Sequence, residues 1–261
     1  MNRINRKFIE LKQKNKKAFI AFITAGYPDL ATTARLVLEL EKKGVDIIEL
    51  GVPFSDPLAD GPVIQEASIY SLKKKTNLVK ILALVKDLRK HTDLPICLMS
   101  YYNPIFCLGD KKFADKAVEA GVDGMIIPDL PPEEAKEFIS YADKSGLVNI
   151  CFLAPTSSEG RIKAISKIAK GFIYYVALTG VTGTRMSLAA DLKANLARIK
   201  KIARIPVCAG FGISSARQLR QVQEACDGGI VGSAIVNKIR ENLGRRDLVK
   251  RVGDFVEGFN V

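Results

Sequence analysis

The feature that most constrains the fold of this chain is a regular alternation between short apolar runs and longer stretches in which apolar residues recur at helical spacing. Eight of the runs are bounded by glycine, proline or polar turns, as is typical of buried strands. They are Ala18–Thr24, Ile47–Leu50, Ile96–Ser100, Gly124–Ile127, Val148–Leu153, Phe172–Ala177, Pro206–Ala209 and Gly229–Val231. A helical stretch follows each run, so the chain repeats one strand–loop–helix unit.

The junctions between these units predict a parallel sheet. Gly44–Asp46, Gly121–Asp123 and Cys226–Gly228 each end a predicted helix and lead into a strand, as αβ junctions of parallel sheets do. Eight units in about 250 residues fit a closed barrel better than an open doubly wound sheet. No GxGxxG motif follows the first strand, which argues against a dinucleotide-binding fold. The sequence therefore predicts an α/β fold, a single-domain (β/α)8 TIM barrel over residues 1–261 with an N-terminal amphipathic helix.

Composition and charge narrow the range of functions. The net charge is +12, but the lysines and arginines are dispersed and interleaved with acids, which is typical of a solvated basic surface rather than a nucleic-acid interface. No apolar stretch is long enough to span a membrane, and residues 1–17 lack the apolar core of a secretory signal. The five cysteines show no CxxC spacing, so we expect reduced thiols and a cytoplasmic location, or the plastid stroma for an organelle-encoded chain. A single histidine, His91, excludes a multi-histidine metal centre, and we expect no metal site.

The stretch from Asp46 to Pro62 carries the strongest chemical signal. Its first part is an apolar strand interrupted by Glu49, and a buried carboxylate is either paired or poised as an acid–base group. The second part is rich in proline and turn-forming residues, so it predicts a stiff loop that brings Asp56 or Asp60 back over Glu49. An ion-paired strand glutamate beside a polar turn would produce the same pattern.

Glycines on three consecutive loops predict a phosphate site. In a (β/α)8 barrel the active site lies at the carboxyl ends of the strands, and phosphate is commonly held after strands seven and eight. Gly180–Gly183 follows the sixth predicted strand, Gly210–Gly212 the seventh, and Gly232 with Ser233 the eighth. Backbone N–H groups in such turns and at a helix N-terminus bind phosphate without a lysine or arginine. Each glycine pair alone is also explained by the needs of a βα turn.

Over nearly its whole length the chain resembles the α subunits of tryptophan synthase. The most specific match is ELGVPFSDPLADGP, from Glu49 to Pro62. The other segments that carry the resemblance are AFITAGYPD around Phe22, Tyr101–Pro104, Tyr174 with Gly180–Gly183, Gly210–Ile213, and Gly232 with Ser233.

This resemblance implies a reaction and a partner. The reaction is the reversible retro-aldol cleavage of indole-3-glycerol phosphate to indole and glyceraldehyde 3-phosphate, in tryptophan biosynthesis. The implied partner is a β subunit that receives the indole in an α2β2 complex. Pyridoxal phosphate is expected in that partner only, so we expect no cofactor in this chain.

The resemblance also implies roles for individual residues. Glu49 is the expected acid–base group, Asp60 is expected to accept a hydrogen bond from the indole N–H, and Thr182 is expected to contact Asp60 when its loop closes. The residues expected to line an apolar indole pocket are Phe22, Met99, Tyr101, Leu153 and Tyr174, each of which could equally be core packing. The residues expected to bind phosphate through the backbone are Gly183, Gly212, Gly232 and Ser233.

The loop after Glu49 is also the expected partner interface. Its apolar residues lie beside the carboxylates, and an apolar patch next to an active site is typical of a docking surface. The predicted contacts are Pro53, Phe54, Asp56 and Pro57, with Leu58 beside them and the loops at Asn103–Pro104 and Asp129–Pro132 nearby. In the alternative, these apolar residues pack onto the barrel's own loops.

Two other functions stay open at this stage. Another phosphate-binding barrel enzyme of the same pathway would need a catalytic strand lysine, and no predicted strand contains one. A catalytically silent α-like subunit would only activate its β partner. The presence of Glu49 and Asp60 favours an active enzyme.

Overall fold

Eight parallel strands form a closed barrel, and helices surround it. The computed structural model describes residues 1–176, 185–210 and 212–259, with the backbone alone for residues 185–190. The strands are β1 Ala18–Thr24, β2 Ile47–Gly51, β3 Ile96–Met99, β4 Gly124–Ile126, β5 Val148–Leu153, β6 Ile173–Val176, β7 Val207–Gly210 and β8 Gly228–Val231. Each strand pairs with the next, and β8 pairs with β1. The predicted (β/α)8 barrel is confirmed.

Helix α1 precedes β1, helices α11 and α12 follow β8, and the other helices connect successive strands. They are α1 Arg3–Gln13, α2 Leu30–Lys42, α3 Pro62–Lys73, α4 Leu78–Leu88, α5 Tyr102–Leu108, α6 Asp110–Ala120, α7 Lys136–Ser145, α8 Glu159–Ile168, α9 Arg185–Ile202, α10 Ala216–Gln223, α11 Ser233–Glu241 and α12 Leu248–Glu257. Among the described residues, no helix combines the length and the apolar character needed to cross a membrane.

Helix α1 closes the amino-terminal end of the barrel. The Asn2 side chain accepts a hydrogen bond from the Ile4 N–H and so caps the helix. Ile4, Phe8 and Leu11 form the buried face of α1 and pack with the inward-facing side chains of the strands. The rings of Phe8 and Phe172 lie 5.8 Å apart. The carboxyl-terminal end of the barrel is therefore the end at which a ligand could enter.

Strand register places Glu49 in the barrel interior. Phe22 of β1 pairs with Glu49 of β2, and Glu49 pairs with Cys97 of β3. Side chains alternate between the two faces of a strand, so the neighbours of Glu49 along β2 face the surrounding helices. Ile48 and Leu50 accordingly belong to the core layer between strands and helices, whereas Cys97 belongs to the interior cluster.

One predicted loop is a helix in the structure. Tyr101–Pro104 was expected to be a loop, yet α5 begins at Tyr102 and includes Pro104 in its first turn. The first N–H groups of a helix have no intrahelical partner, so a proline costs no hydrogen bond there. The prediction of a loop from the Asn103–Pro104 pair was therefore wrong, because proline breaks a helix only beyond its first turn.

Candidate active site

A cavity of about 610 Å³ opens at the carboxyl ends of the strands. Its wall includes most of the expected substrate and phosphate residues, namely Phe22, Asp60, Met99, Leu153, Tyr174, Gly212, Gly232 and Ser233. Tyr101 lies beside it, on a smaller cavity that it shares with Asp60. Thr182 and Gly183 lie outside the described residues.

Glu49 is a deeply buried carboxyl group. Its relative exposure is 1%, and neither Oε1 nor Oε2 has a hydrogen-bond partner in the described part of the chain. Burial, followed by the nearby charge of Asp60, raises its pKa to about 8. Asp123 is buried to a similar degree, but Arg89 and the Ile96 N–H both donate to its Oδ2. The contrast identifies Asp123 as structural and Glu49 as available for chemistry.

Asp60 lies on the loop between β2 and α3 and borders the cavity. The Tyr101 hydroxyl donates a hydrogen bond of 3.2 Å to Asp60 Oδ2, and the same hydroxyl accepts one of 2.8 Å from the Ala59 N–H. Burial raises the pKa of Asp60 to about 6, and the bond from Tyr101 opposes that rise. At neutral pH Glu49 therefore holds a proton while Asp60 is ionised. Such a difference between two neighbouring carboxyl groups separates a proton donor from a negatively charged acceptor.

The loop that carries Asp60 is held by its own chain. Pro53 and Pro57 are buried, and the Phe54 ring stacks on Tyr101 at a centroid distance of 5.0 Å. The Gln65 side chain donates a 2.9 Å hydrogen bond to the Asp60 carbonyl oxygen. These contacts fix the position of Asp60 without a partner subunit.

The wall of the cavity next to the carboxyl groups is apolar and aromatic. Phe22, Met99, Phe152 and Tyr174 contribute to it, and the rings of Phe152 and Tyr174 lie 4.9 Å apart. Sequence reasoning missed Phe152, which lies on the inward face of β5. Leu153 borders the cavity too, but it belongs to the core layer between the strands and the helices. The alternation along Val148–Leu153 could have identified Phe152, because inward positions recur every second residue.

Another part of the cavity wall combines glycine turns with a helix N-terminus. Gly212 has a φ of 44°, a conformation that favours glycine, and Gly232 is the residue before helix α11. Helix α11 begins at Ser233, and the first N–H groups of a helix lack partners within it. Among the described lining residues Arg161 is the only cationic one. This part of the cavity wall is suited to an anion held mainly by backbone groups.

Other aldol mechanisms depend on a Schiff-base lysine or on a metal ion, and the described residues supply a site for neither. No lysine borders the cavity in the described part of the chain, so a lysine that forms a Schiff base is not found there. Over the same residues no cluster of histidine, cysteine or acidic side chains could hold a metal ion. The geometry favours acid–base chemistry by the two carboxyl groups on a ligand with an aromatic and an anionic end.

Comparison with known proteins shows the family to which the chain belongs. The family model described as "Tryptophan synthase alpha chain" matches residues 8–259. The tryptophan synthase alpha chains of Geotalea uraniireducens and Geobacter sulfurreducens are each 50% identical to this chain over 98% of its length, and the matches cover 96% and 97% of those proteins. The crystal structure of tryptophan synthase subunit alpha from Legionella pneumophila is 39% identical, with a TM-score of 0.93 over 99% of this chain and 97% of that one. The tryptophan synthase complex from Pyrococcus furiosus contains a chain that is 36% identical, with a TM-score of 0.84 over 93% of this chain and 97% of that chain. With a family model over nearly all of its length and relatives at half identity, this chain belongs to the tryptophan synthase alpha chain family.

Proposed function

We propose that Glu49 and Asp60 catalyse the retro-aldol cleavage of indole-3-glycerol phosphate, the lyase reaction of this family in tryptophan biosynthesis. One observation carries the assignment. Asp60 borders a cavity whose wall combines aromatic side chains with glycine turns and a helix N-terminus, and the buried Glu49, whose pKa is raised to about 8, pairs in register with Phe22 of that wall. Each part of that arrangement corresponds to one demand of the reaction.

Cleavage of the bond between indole C3 and the glycerol carbon needs two proton transfers. The protonated Glu49 carboxyl group donates its proton to C3, and the ring becomes a cation with its charge on nitrogen. The Glu49 carboxylate then takes the proton of the adjacent glycerol hydroxyl. The electrons of that O–H bond form the aldehyde, and those of the broken carbon–carbon bond return to the indole. Glu49 ends the cycle protonated, as it began.

Asp60 stabilises the cation between these steps. Its carboxylate accepts a hydrogen bond from the indole N–H, and the bond strengthens as positive charge develops on the ring. A carboxylate with a pKa of about 6 is ionised at neutral pH and therefore suited to this role. The apolar wall around Phe22 and Phe152 holds the indole, and the backbone groups of Gly212, Gly232 and Ser233 hold the phosphate.

We also propose that the chain works with a β subunit. The related Pyrococcus furiosus protein occurs in a tryptophan synthase a2b2 complex with mutual activation. In an α2β2 complex of this chain, pyridoxal phosphate would belong to the β subunit, and the α chain would carry no cofactor of its own. A cytoplasmic location fits the five free cysteines.

Substitution of Glu49 tests the assignment. Glu49→Gln keeps the volume but removes the titrating proton, so kcat for cleavage of indole-3-glycerol phosphate should fall at least about a hundredfold. Binding of glycerol 3-phosphate should survive. Glu66→Gln is a matched control, because Glu66 is an exposed carboxylate of α3 that pairs with Arg240.

Two outcomes would contradict the proposal. A near wild-type kcat for Glu49→Gln would assign the proton transfers elsewhere, and Asp60 would be the next residue to test. No cleavage by the unaltered chain, alone or with a β subunit, would favour the silent α-like subunit.

A further inference from the structure

A second, much smaller cavity is bordered by Asp60. Its volume is about 10 Å³, at the lower limit of the space that one water molecule needs. Its wall consists of Phe22, Thr24, Gly51, Val52, Asp60, Ile64, Ser68, Met99 and Tyr101. The cavity is thus bordered by β1, by β2, by α3 and by the residues around Asp60 and Tyr101.

Four of the lining side chains carry oxygen atoms. Thr24 is 1% exposed, and its Oγ1 has no hydrogen-bond partner in the described part of the chain. It lies on the same face of β1 as Phe22 and pairs in register with Gly51, so it faces the barrel interior. Ser68 is 3% exposed, and Tyr101 already donates to Asp60. A buried water typically makes two to four hydrogen bonds to such groups, so this site has both the room and the partners.

We propose that this cavity holds one structural water, which accepts a hydrogen bond from the Thr24 hydroxyl and donates one to Asp60. Thr24 is then a positioning residue for the lyase reaction, since it acts through the water and does not touch the substrate. The inference rests on the role of Asp60 proposed above. It also accounts for the buried Thr24 hydroxyl, which would otherwise cost free energy.

Few of the described groups that face Asp60 stabilise its ionised form. Glu49 on β2 is protonated at neutral pH, and burial raises the pKa of both Tyr101 and Tyr174, so these phenols stay neutral. Arg161 borders the large cavity, but it forms an ion pair with Glu133. A water that donates to the Asp60 carboxylate would favour its charged form and hold its pKa down.

Thr24→Val tests the proposal, because valine keeps the shape and removes the hydroxyl. Without its partner the water is lost or misplaced, so the pKa of Asp60 should rise by about one unit. The pKa can be measured from the carboxyl ¹³C chemical shift of Asp60. The acidic limb of kcat/KM should move to higher pH by the same amount. Thr24→Ser restores a hydroxyl and should restore both values.

Thr33→Val is the matched control. Thr33 is equally buried, and its hydroxyl donates to the Asp29 carbonyl oxygen and accepts from the Gly26 N–H. Its loss should lower stability and leave the Asp60 pKa unchanged. The inference is overturned if Thr24→Val leaves the Asp60 pKa and the acidic limb in place, or if it only raises stability, as removal of a truly unpartnered hydroxyl would.

Asp60→Asn separates this inference from the proposed function. If Asp60→Asn abolishes cleavage while Thr24→Val leaves the pKa unchanged, the role of Asp60 stands and the water link is wrong. If Asp60→Asn retains near wild-type kcat, the proposed role of Asp60 itself is wrong, and the inference falls with it.

Discussion

At the scale of single residues, the site depends on the burial of Glu49, a carboxyl group without a hydrogen-bond partner in the described part of the chain. Most buried ionisable groups are compensated, as Asp123 is by Arg89. Among the described residues Glu49 has no such compensation, and burial raises its pKa to about 8, so it keeps its proton at neutral pH. A group held in this state costs stability, so catalysis and stability oppose each other at this position.

The raised pKa of Glu49 predicts how the free energy of unfolding depends on pH. The folded chain keeps a proton on Glu49 that the unfolded chain releases above its ordinary pKa of 4.5, so this group makes the free energy of unfolding fall as pH rises from about 4.5 to about 8. Glu49→Gln should remove that dependence. The variant should be more stable than the wild type at pH 8, by on the order of 4 kcal/mol, and about equally stable below pH 4.5. Urea unfolding over this pH range measures the difference.

One outcome would contradict this prediction. Asp60 remains in both proteins and contributes a smaller decline that ends near pH 6. If the two stability curves stay parallel up to pH 8, Glu49 is ionised in the folded state, and the proposed proton donor is wrong.

These carboxyl groups could be identified from the sequence, but their protonation states could not. Glu49 was expected to be buried because it interrupts an apolar strand, and either Asp56 or Asp60 was expected nearby because their loop is stiff. Their pKa values depend on which side chains close over them, such as Tyr101, which lies 41 residues from Asp60 along the chain. Phe152 was missed because aromatic residues in a strand usually belong to the core.

At the scale of elements, we propose that the loops after β7 and β8 bind the phosphate group. Gly212→Val should weaken binding of glycerol 3-phosphate by at least about tenfold, because a branched side chain obstructs backbone approach and strains a residue with a φ of 44°. Isothermal titration calorimetry measures the change. Gly244→Val is the control, since Gly244 also has a positive φ, of 77°, and nothing lies within 4 Å of an added Cβ atom. Equal loss of binding in both variants would mean that strain, not obstruction, is responsible.

We expect substitutions on the buried face of helix α1 to lower stability without changing activity. Phe8 is buried against Phe172 at the closed end of the barrel, so Phe8→Ala should lower the free energy of unfolding by about 3 kcal/mol and leave kcat near wild type. Ile9 is 48% exposed on the same helix, and Ile9→Ala should change stability by less than about 0.5 kcal/mol. Urea unfolding and steady-state kinetics check both. A large fall in kcat for Phe8→Ala would show that the two ends of the barrel are coupled.

The elements themselves were largely predictable, and the exceptions are informative. Buried parallel strands are short apolar runs, so all eight were recognisable from their pattern. Helix α5 was not recognised, because only its position relative to β3 makes Pro104 a first-turn residue. Helix boundaries depend on capping contacts, such as that of Ser215 with the Gln218 N–H, which the apolar pattern does not contain.

At the scale of the whole molecule, the face around the active site has the features of a docking surface. Leu58 is 93% exposed on the loop that carries Asp60, and Phe106 is 67% exposed on α5. Pro53 and Pro57 are buried in this chain, and Phe54 is partly covered by Tyr101. The exposed part of the expected interface is therefore Asp56 with Leu58.

Titration with a β subunit tests this surface. Asp56→Ala should reduce the stimulation of α-site kcat by the β subunit while the basal rate stays near wild type, because docking orders loops and adds no new chemistry. Phe54→Ala should affect both rates, since its ring stacks on the tyrosine that donates to Asp60. Val79 is 57% exposed on α4, and Val79→Ala serves as the control. An unchanged titration curve for Asp56→Ala would rule out this residue as a contact.

Only one of the five cysteines is exposed, so this face can be labelled with a fluorescent dye. Cys107 is exposed on α5 next to Phe106, whereas the other four cysteines are buried, and burial raises the pKa of each of them. A maleimide dye should therefore attach at one position on the unaltered chain. Fluorescence of that dye would follow the arrival and departure of a partner in real time, without any engineered cysteine.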